Sequence, residues 1–312
     1  MKETSFGSID VCDAHVHFFS HQFFGKLAGL APTTRGEADP VAAAREITGF
    51  DVPGVDPADL ADRWVGELDA AGVSRAMIIA SVPGDEDSVS VAVARHPERF
   101  VGAFMIDPTA SDTETRVERA FGELGLKVAC LFPAMHHFSV AECEGLRAVS
   151  ALAGEQGGRA VFTHFGALSV GIRGKLGIPS RFDMRRSNPV DLHPLAAEFA
   201  STTFIVPHFG AGMLREALML ADLCPNVMLD TSSSNRWMRY TSPPADLAGV
   251  FRQAIAVAGP SRLLFGTDSS FFPRGWVAPV FDAQIAALEA AGATDDDARA
   301  ILGGNFRRIF GD

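Results

Sequence analysis

The chain has 312 residues, 47% of them hydrophobic, which is enough apolar material for a large core. Its formal net charge of −11 argues against a nucleic-acid or anionic-membrane partner, since both recruit basic surfaces. No apolar run is long enough to span a bilayer, and the opening MKETSFGSID lacks the apolar stretch of a secretion signal, so a cytoplasmic protein is expected.

The first predicted strand, near 9–16, lies in IDVCDAHVHFF. Strict alternation places Asp13, His15 and His17 on one face and Cys12, Ala14 and Val16 on the other. A lone histidine there would read as a hydrogen-bonded core residue. Two on one face form a natural metal chelate. Residues 18–55 follow, with an aromatic start (FFSHQFFGKL) and a short helix near 40–48. This stretch reads as a lid insertion, or else as decorated surface or an oligomer contact. The segment DPADLADRWVGELDAAG then opens with Asp56 as N-cap and Pro57 at the first helical position, and stops at Gly72.

Further strands are predicted near 75–81, 100–106, 126–132, 160–164, 203–207, 227–231 and 262–267. Helices alternate with them over roughly 85–96, 112–124, 139–156, 191–201, 211–223, 245–258 and 279–291, with a last one over 295–310. A second long connection, 165–190, carries Arg173, Lys175, Arg181, Arg185 and Arg186. Eight strand–helix alternations favour a single α/β domain over 1–312, a (β/α)8 TIM barrel with long loops after strands 1 and 5. The four cysteines, Cys12, Cys130, Cys143 and Cys224, show no zinc-ribbon spacing, and Cys12 and Cys130 read as buried free thiols.

In such a barrel the C-terminal ends of the strands converge on one mouth. His15 and His17 end strand one, His164 ends strand five in FTHFG, His208 ends strand six in VPHFG, and Asp268 ends strand eight in LFGTDSSFF. Three imidazoles and a carboxylate suit one divalent ion with an open position. The expected ligands are His15, His17, His164 and Asp268, which leaves His208 to polarise a carbonyl or shuttle a proton. Spacing leaves open the exchange of His164 and His208. His136 and His137 follow strand four in FPAMHHF, close enough to the mouth for one of them to touch substrate.

The motifs DAHVH, THFG, PHFG, LFGTDSSFF and ILGGNFRRIFG together resemble the amidohydrolase superfamily, in particular the amidohydrolase-related branch that includes aminocarboxymuconate-semialdehyde decarboxylase. The resemblance runs from about residue 9 to 311. It implies a metal-dependent (β/α)8 barrel whose His-x-His falls on His15 and His17, with the strand-five and strand-six histidines on His164 and His208 and the strand-eight aspartate on Asp268. One departure stands out. Many relatives carry a KLHP-like run at the end of strand four, where this chain has Cys130, Leu131, Phe132 and Pro133. The lysine that bridges two metals in binuclear members is therefore missing, which favours one ion. Zinc is the default, with manganese, cobalt or iron also suited to the donors.

Such a site implies a hydrolase in which a metal-bound water attacks the carbonyl of an amide, lactone or related group of a small organic acid. Asp268 would handle the proton and His208 the oxyanion. A non-oxidative decarboxylase of an aromatic or dienoic acid is the alternative, and a barrel that binds metal or ligand without catalysis is the third reading. For the substrate, Arg236 in DTSSSNRW is placed to pair a carboxylate, aided by the hydroxyls of Ser232, Ser233 and Ser234. Phe18, Phe19, Phe165, Phe271 and Phe272 flank the mouth and suit an apolar or planar molecule. The resemblance also implies a homodimer.

Overall fold

The computed structural model describes residues 1–232, 235–241 and 245–311. A short antiparallel hairpin (Lys2–Thr4 with Gly7–Ile9) leads into the first barrel strand. The barrel strands are β1 (Val11–Phe18), β2 (Val73–Ala80), β3 (Phe100–Met105), β4 (Val128–Leu131), β5 (Ala160–Thr163), β6 (Thr203–Val206), β7 (Val227–Asp230) and β8 (Leu263–Leu264). Each pairs in parallel with the next. Bonds from just beyond β8 back to β1 close the ring: Ala14 N–H donates to the Phe265 carbonyl at 2.8 Å and Asp268 N–H to the His15 carbonyl at 2.9 Å. The fold is a (β/α)8 barrel, as the alternation of elements predicts.

Local chemistry sets the helix limits where it was expected to. The helix Pro57–Ala71 is capped by Asp56, which accepts from Ala58 N–H at 2.9 Å, and it ends at Gly72 with φ +70°. The last predicted helix differs. It divides into Asp295–Arg299, a π-helical turn Ala300–Gly304, and Asn305–Phe310. At Gly303 the turn passes so close to the Asp10 carbonyl that no Cβ fits between them.

One expectation about β1 is overturned. Its register against β2 slips between Asp13 and Val16, so three steps on β1 match two on β2. Such a bulge switches which residues face inward. Cys12 and Ala14 pack inside the barrel with Met77, Ile79 and Phe162, whereas Val16 and Phe18 join the layer between strands and helices. His15 follows Ala14 inward and sets its ring against Phe162, 5.1 Å between centroids. Asp13 therefore does not share a face with the histidines. Its carboxylate instead accepts from Thr267 Oγ1 at 2.5 Å and Trp276 Nε1 at 2.8 Å, stapling β1 to the segment after β8.

Phe306 and Phe310 seal the end of the barrel opposite the mouth, and Lys127 donates to the Phe310 carbonyl at 2.7 Å, far from any metal-bridging position. A third apolar cluster lies beside the mouth. There Phe23, Phe24, Leu27 and Phe50 from the first long loop meet Ile172, Leu176 and Ile178 from the loop after β5. No helix among the described residues is long and apolar enough to cross a membrane.

Candidate active site

The barrel brings His15, His17, His164, His208 and Asp268 together at its mouth. Donor atoms of His15, His164 and His208 lie within 4.8 Å of one another, and so do those of His15, His17 and Asp268. His15 belongs to both groups.

Hydrogen bonds fix which ring nitrogen faces the centre. His15 Nδ1 donates to Asp230 Oδ2 at 2.6 Å. The Ser81 hydroxyl donates to the Ile79 carbonyl at 3.0 Å, so it accepts from His17 Nδ1 at 2.8 Å. His208 Nδ1 donates to the Ser232 carbonyl at 3.0 Å. All three rings thus turn a lone pair on Nε2 away from these anchors. His15 Nε2 is buried with no hydrogen-bond partner and lies 3.7 Å from Asp268 Oδ1. His17 Nε2 lies 3.1 Å from the same oxygen. His164 stacks on Phe132, with centroids 3.9 Å apart, and its Nδ1 is also buried without a partner.

This arrangement fits a divalent cation. With its Nδ1 proton on Ser81, a neutral His17 sets the Nε2 lone pair 3.1 Å from a carboxylate oxygen, a contact relieved by a second proton on the ring or by a cation that both groups bind, and orphaned buried polar atoms are costly. Burial alone would raise the Asp268 carboxyl, but the His17 contact and the surrounding imidazoles hold it below the usual carboxylate range. Burial lowers the pKa of His17, His208 and, most strongly, His164. At His15 burial also opposes the charged form, and Asp230 outweighs it to raise the pKa.

The backbone bends to aim these groups. His208 (φ +56°) and Asp268 (φ +58°) both occupy the left-handed region, which side chains other than glycine visit at a cost of about 1–3 kcal/mol. The glycine of THFG has a steric reason. A Cβ on Gly166 (φ +71°) would collide with the Gly210 and Ala211 carbonyls, and Ala167 N–H donates to the Ala211 carbonyl at 2.8 Å. The two His-Phe-Gly loops therefore touch. Gly266 is equally constrained, since a Cβ there would lie 2.9 Å from His15 Cβ, Asp230 Oδ1 and Ser232 Cβ.

Above the centre opens a cavity of about 400 Å³. His17, Ser81, His164, His208 and Asp268 contribute to its lining, together with the aromatic rings of Phe19, Phe23, Phe50, Phe132 and Phe271 and the cations Lys175 and Arg274. The other predicted substrate contacts fall elsewhere. Phe165 is buried in the layer outside the barrel, because the strand direction that turns His164 inward sends its neighbour out. Phe18 and Phe272 lie in that layer too. His136 and His137 line an adjoining cavity rather than this one. Arg236 is exposed and absent from the lining, beside a buried Trp237 that anchors its turn. Ser233 and Ser234 lie outside the described residues. Ser232 points to the histidines, with Oγ 2.9 Å from His15 Nδ1 and 3.0 Å from His208 Nδ1.

Sequence reasoning missed Asp230, Ser81 and Arg274. A single carboxylate closing the apolar run VMLD was the one available sign of Asp230. Ser81 and Arg274 carried none. Because Asp230 orients the His15 ring, Asp230→Asn is expected to weaken metal binding about 10–100-fold. Competition against a chelator of known affinity measures this, and unchanged affinity would show that His15 needs no such brace.

Fold and site together define a (β/α)8-barrel enzyme with a histidine-rich centre at the mouth. The chain belongs to the amidohydrolase family, whose sequence model matches residues 12–311. A stretch of 97 residues, 31% of the chain, is 30% identical to Protein fluG of Emericella nidulans, of which it spans only 11%. Among solved structures, a protein of Pseudomonas putida provisionally named 2-pyrone-4,6-dicarboxylic acid hydrolase superposes with a TM-score of 0.62 at 20% identity, over 97% of this chain and 98% of that one. A 5-carboxyvanillate decarboxylase of Novosphingobium aromaticivorans, a mutant with bound manganese, gives 0.64 at 13% identity over 99% of each chain. At these identities the likeness speaks to the fold.

Proposed function

We propose that this enzyme is a metal-dependent hydrolase in which water attacks the carbonyl carbon of an amide, lactone or related group of a small organic acid and the acyl C–N or C–O bond breaks. The observation that carries this reading is the convergence of the His15 and His17 Nε2 atoms on Asp268 Oδ1, each ring held from behind by Asp230 or Ser81. His15, His17, His164 and Asp268 would hold one divalent ion, zinc by donor type. When bound, such an ion polarises a carbonyl and brings the pKa of water towards neutrality.

The chain's own groups supply the rest. Asp268, kept ionised, accepts the proton of the attacking water. His208 keeps its proton on Nδ1 for the Ser232 carbonyl, so its Nε2 is an acceptor. That suits proton shuttling, or metal ligation in exchange with His164, better than polarising a carbonyl. Lys175 and Arg274 offer charge to a substrate carboxylate. Arg274 is steadied over the Phe271 ring, 4.7 Å from its centroid, and by its bond to the Asp268 carbonyl at 3.0 Å.

Decarboxylation is the second reading, favoured by the aromatic walls of the cavity, which suit a planar carboxylated ring. Turnover of lactones, amides and aromatic carboxylates in heavy-oxygen water separates the two. Label entering the product acid is the expected result. Carbon dioxide release without label in the product would select the lyase, and no turnover of any of them by metal-loaded protein would count against both.

A further inference from the structure

A second cavity of about 400 Å³ adjoins the first, and the two share Phe23, Ser81, Met105, Met135 and Val170 as walls. The rest of its lining sets three cations among apolar residues such as Leu27, Leu30 and Phe182. Lys26, Arg173, Arg181, His136 and His137 contribute to it, and no Asp or Glu does. Among the described residues, Lys26, Arg173 and Arg181 form no ion pair, whereas surface arginines such as Arg63, Arg95, Arg119 and Arg147 do. The chain as a whole is strongly acidic, with a net charge of −11. Unpaired cations gathered around one hollow repel each other, and an anionic guest relieves that repulsion.

Two further details point the same way. Arg173 Nε and His136 Nδ1 are buried without a hydrogen-bond partner. Their surroundings are nonetheless ordered by hydrogen bonds. Arg173 Nη2 donates to the Pro179 carbonyl at 3.0 Å, and Asp183 N–H donates to the Ala134 carbonyl at 2.8 Å, tying the loop of Arg181 to the turn that carries His136. The nearby acids lie outside the lining: Asp85 accepts from Ser20 and Ser88 and acts on Lys26 only through space, Asp107 accepts from Thr109 and acts likewise on His136, and Asp183 pairs with Arg185.

We propose that this second chamber is an anion subsite for the distal carboxylate of an elongated dicarboxylate or polycarboxylate whose reacting end lies in the first cavity. The inference rests on the hydrolase reading above and adds to it a substrate class. The five shared residues set the two chambers side by side, with the candidate metal ligands in the first and guanidinium groups in the second, so that one bent molecule would reach both.

The test uses succinate, adipate, suberate and sebacate as probes, each against the monocarboxylate of equal chain length. Each is titrated calorimetrically into the metal-loaded protein, into Arg173→Gln/Arg181→Gln, and into Arg181→Glu. At the length that spans both chambers, the diacid is expected to bind about tenfold more tightly than its monoacid. Both variants should bring it to within about twofold, with the monoacid unchanged. Arg181 is exposed, so its replacement leaves the fold intact. The proposal is overturned if no diacid exceeds its monoacid, or if the preference survives both variants. Metal content, read separately on each protein, tests the centre itself. A chain that holds no metal yet keeps the arginine-dependent preference would sink the hydrolase reading and leave the anion subsite standing.

Discussion

His15→Ala/His17→Ala is expected to lose its metal and with it turnover, lowering kcat/KM by roughly a thousandfold or more, beyond the 10–100-fold scale of losing an outer-shell brace. The two rings supply the lone pairs that meet at Asp268 Oδ1, and His15 is common to both groups of potential ligands. Without them, His164, His208 and Asp268 remain, and β1 supplies no imidazole to the group. Elemental analysis of protein purified without chelator should find about one ion per chain in the parent and none in the variant. A second ion is not expected, because Cys130 stands where a bridging lysine would be needed. Burial inside the barrel pushes its thiol up, so it stays protonated. Metal binding also stabilises the folded state by mass action. A chelator should therefore lower the Tm of the parent and leave that of the variant unmoved. A parent that holds no metal even after reconstitution would end the catalytic reading.

Asp268→Asn is expected to lower kcat about 100–10,000-fold, the range ascribed to a positioned general base, with a much smaller change in KM. Asparagine is the informative replacement. Position 268 is left-handed, and asparagine tolerates that conformation, whereas alanine would add about 1–2 kcal/mol of strain and confuse lost chemistry with lost stability. The amide keeps the shape and one oxygen, so part of the metal affinity should survive. Steady-state kinetics on variant protein of verified metal content checks this, and a kcat close to the parent's would remove Asp268 from proton transfer.

The five mouth residues were legible because the barrel topology gathers strand ends whatever their distance in sequence, and each of these side chains lies in the C-terminal part of a strand or a few residues past it. Helix limits were legible where caps are local, as at Asp56 and Gly72. The bulge in β1 was not, because its register is decided by pairing with β2 and by closure onto the segment after β8. Loop residues were hardest to place. Arg236 and Arg274 look equivalent in sequence, both cations a few residues past a strand. Which one reaches the cavity depends on how Trp237 packs on one side and on Phe271 on the other, contacts made only in the folded chain.

The apolar cluster beside the mouth has a consequence for how such an enzyme changes over time. Phe23, Phe24, Leu27, Phe50, Ile172 and Leu176 pack chiefly on one another rather than on the cores inside and around the barrel. Phe23, Phe50 and Ile172 also line the cavity. This part of the cavity wall is thus a semi-independent cassette, held together by its own small nucleus and laid over the histidine-rich floor that β1, β5, β6 and β8 position without it. Drift in the cassette alters what is admitted long before it reaches the machinery beneath.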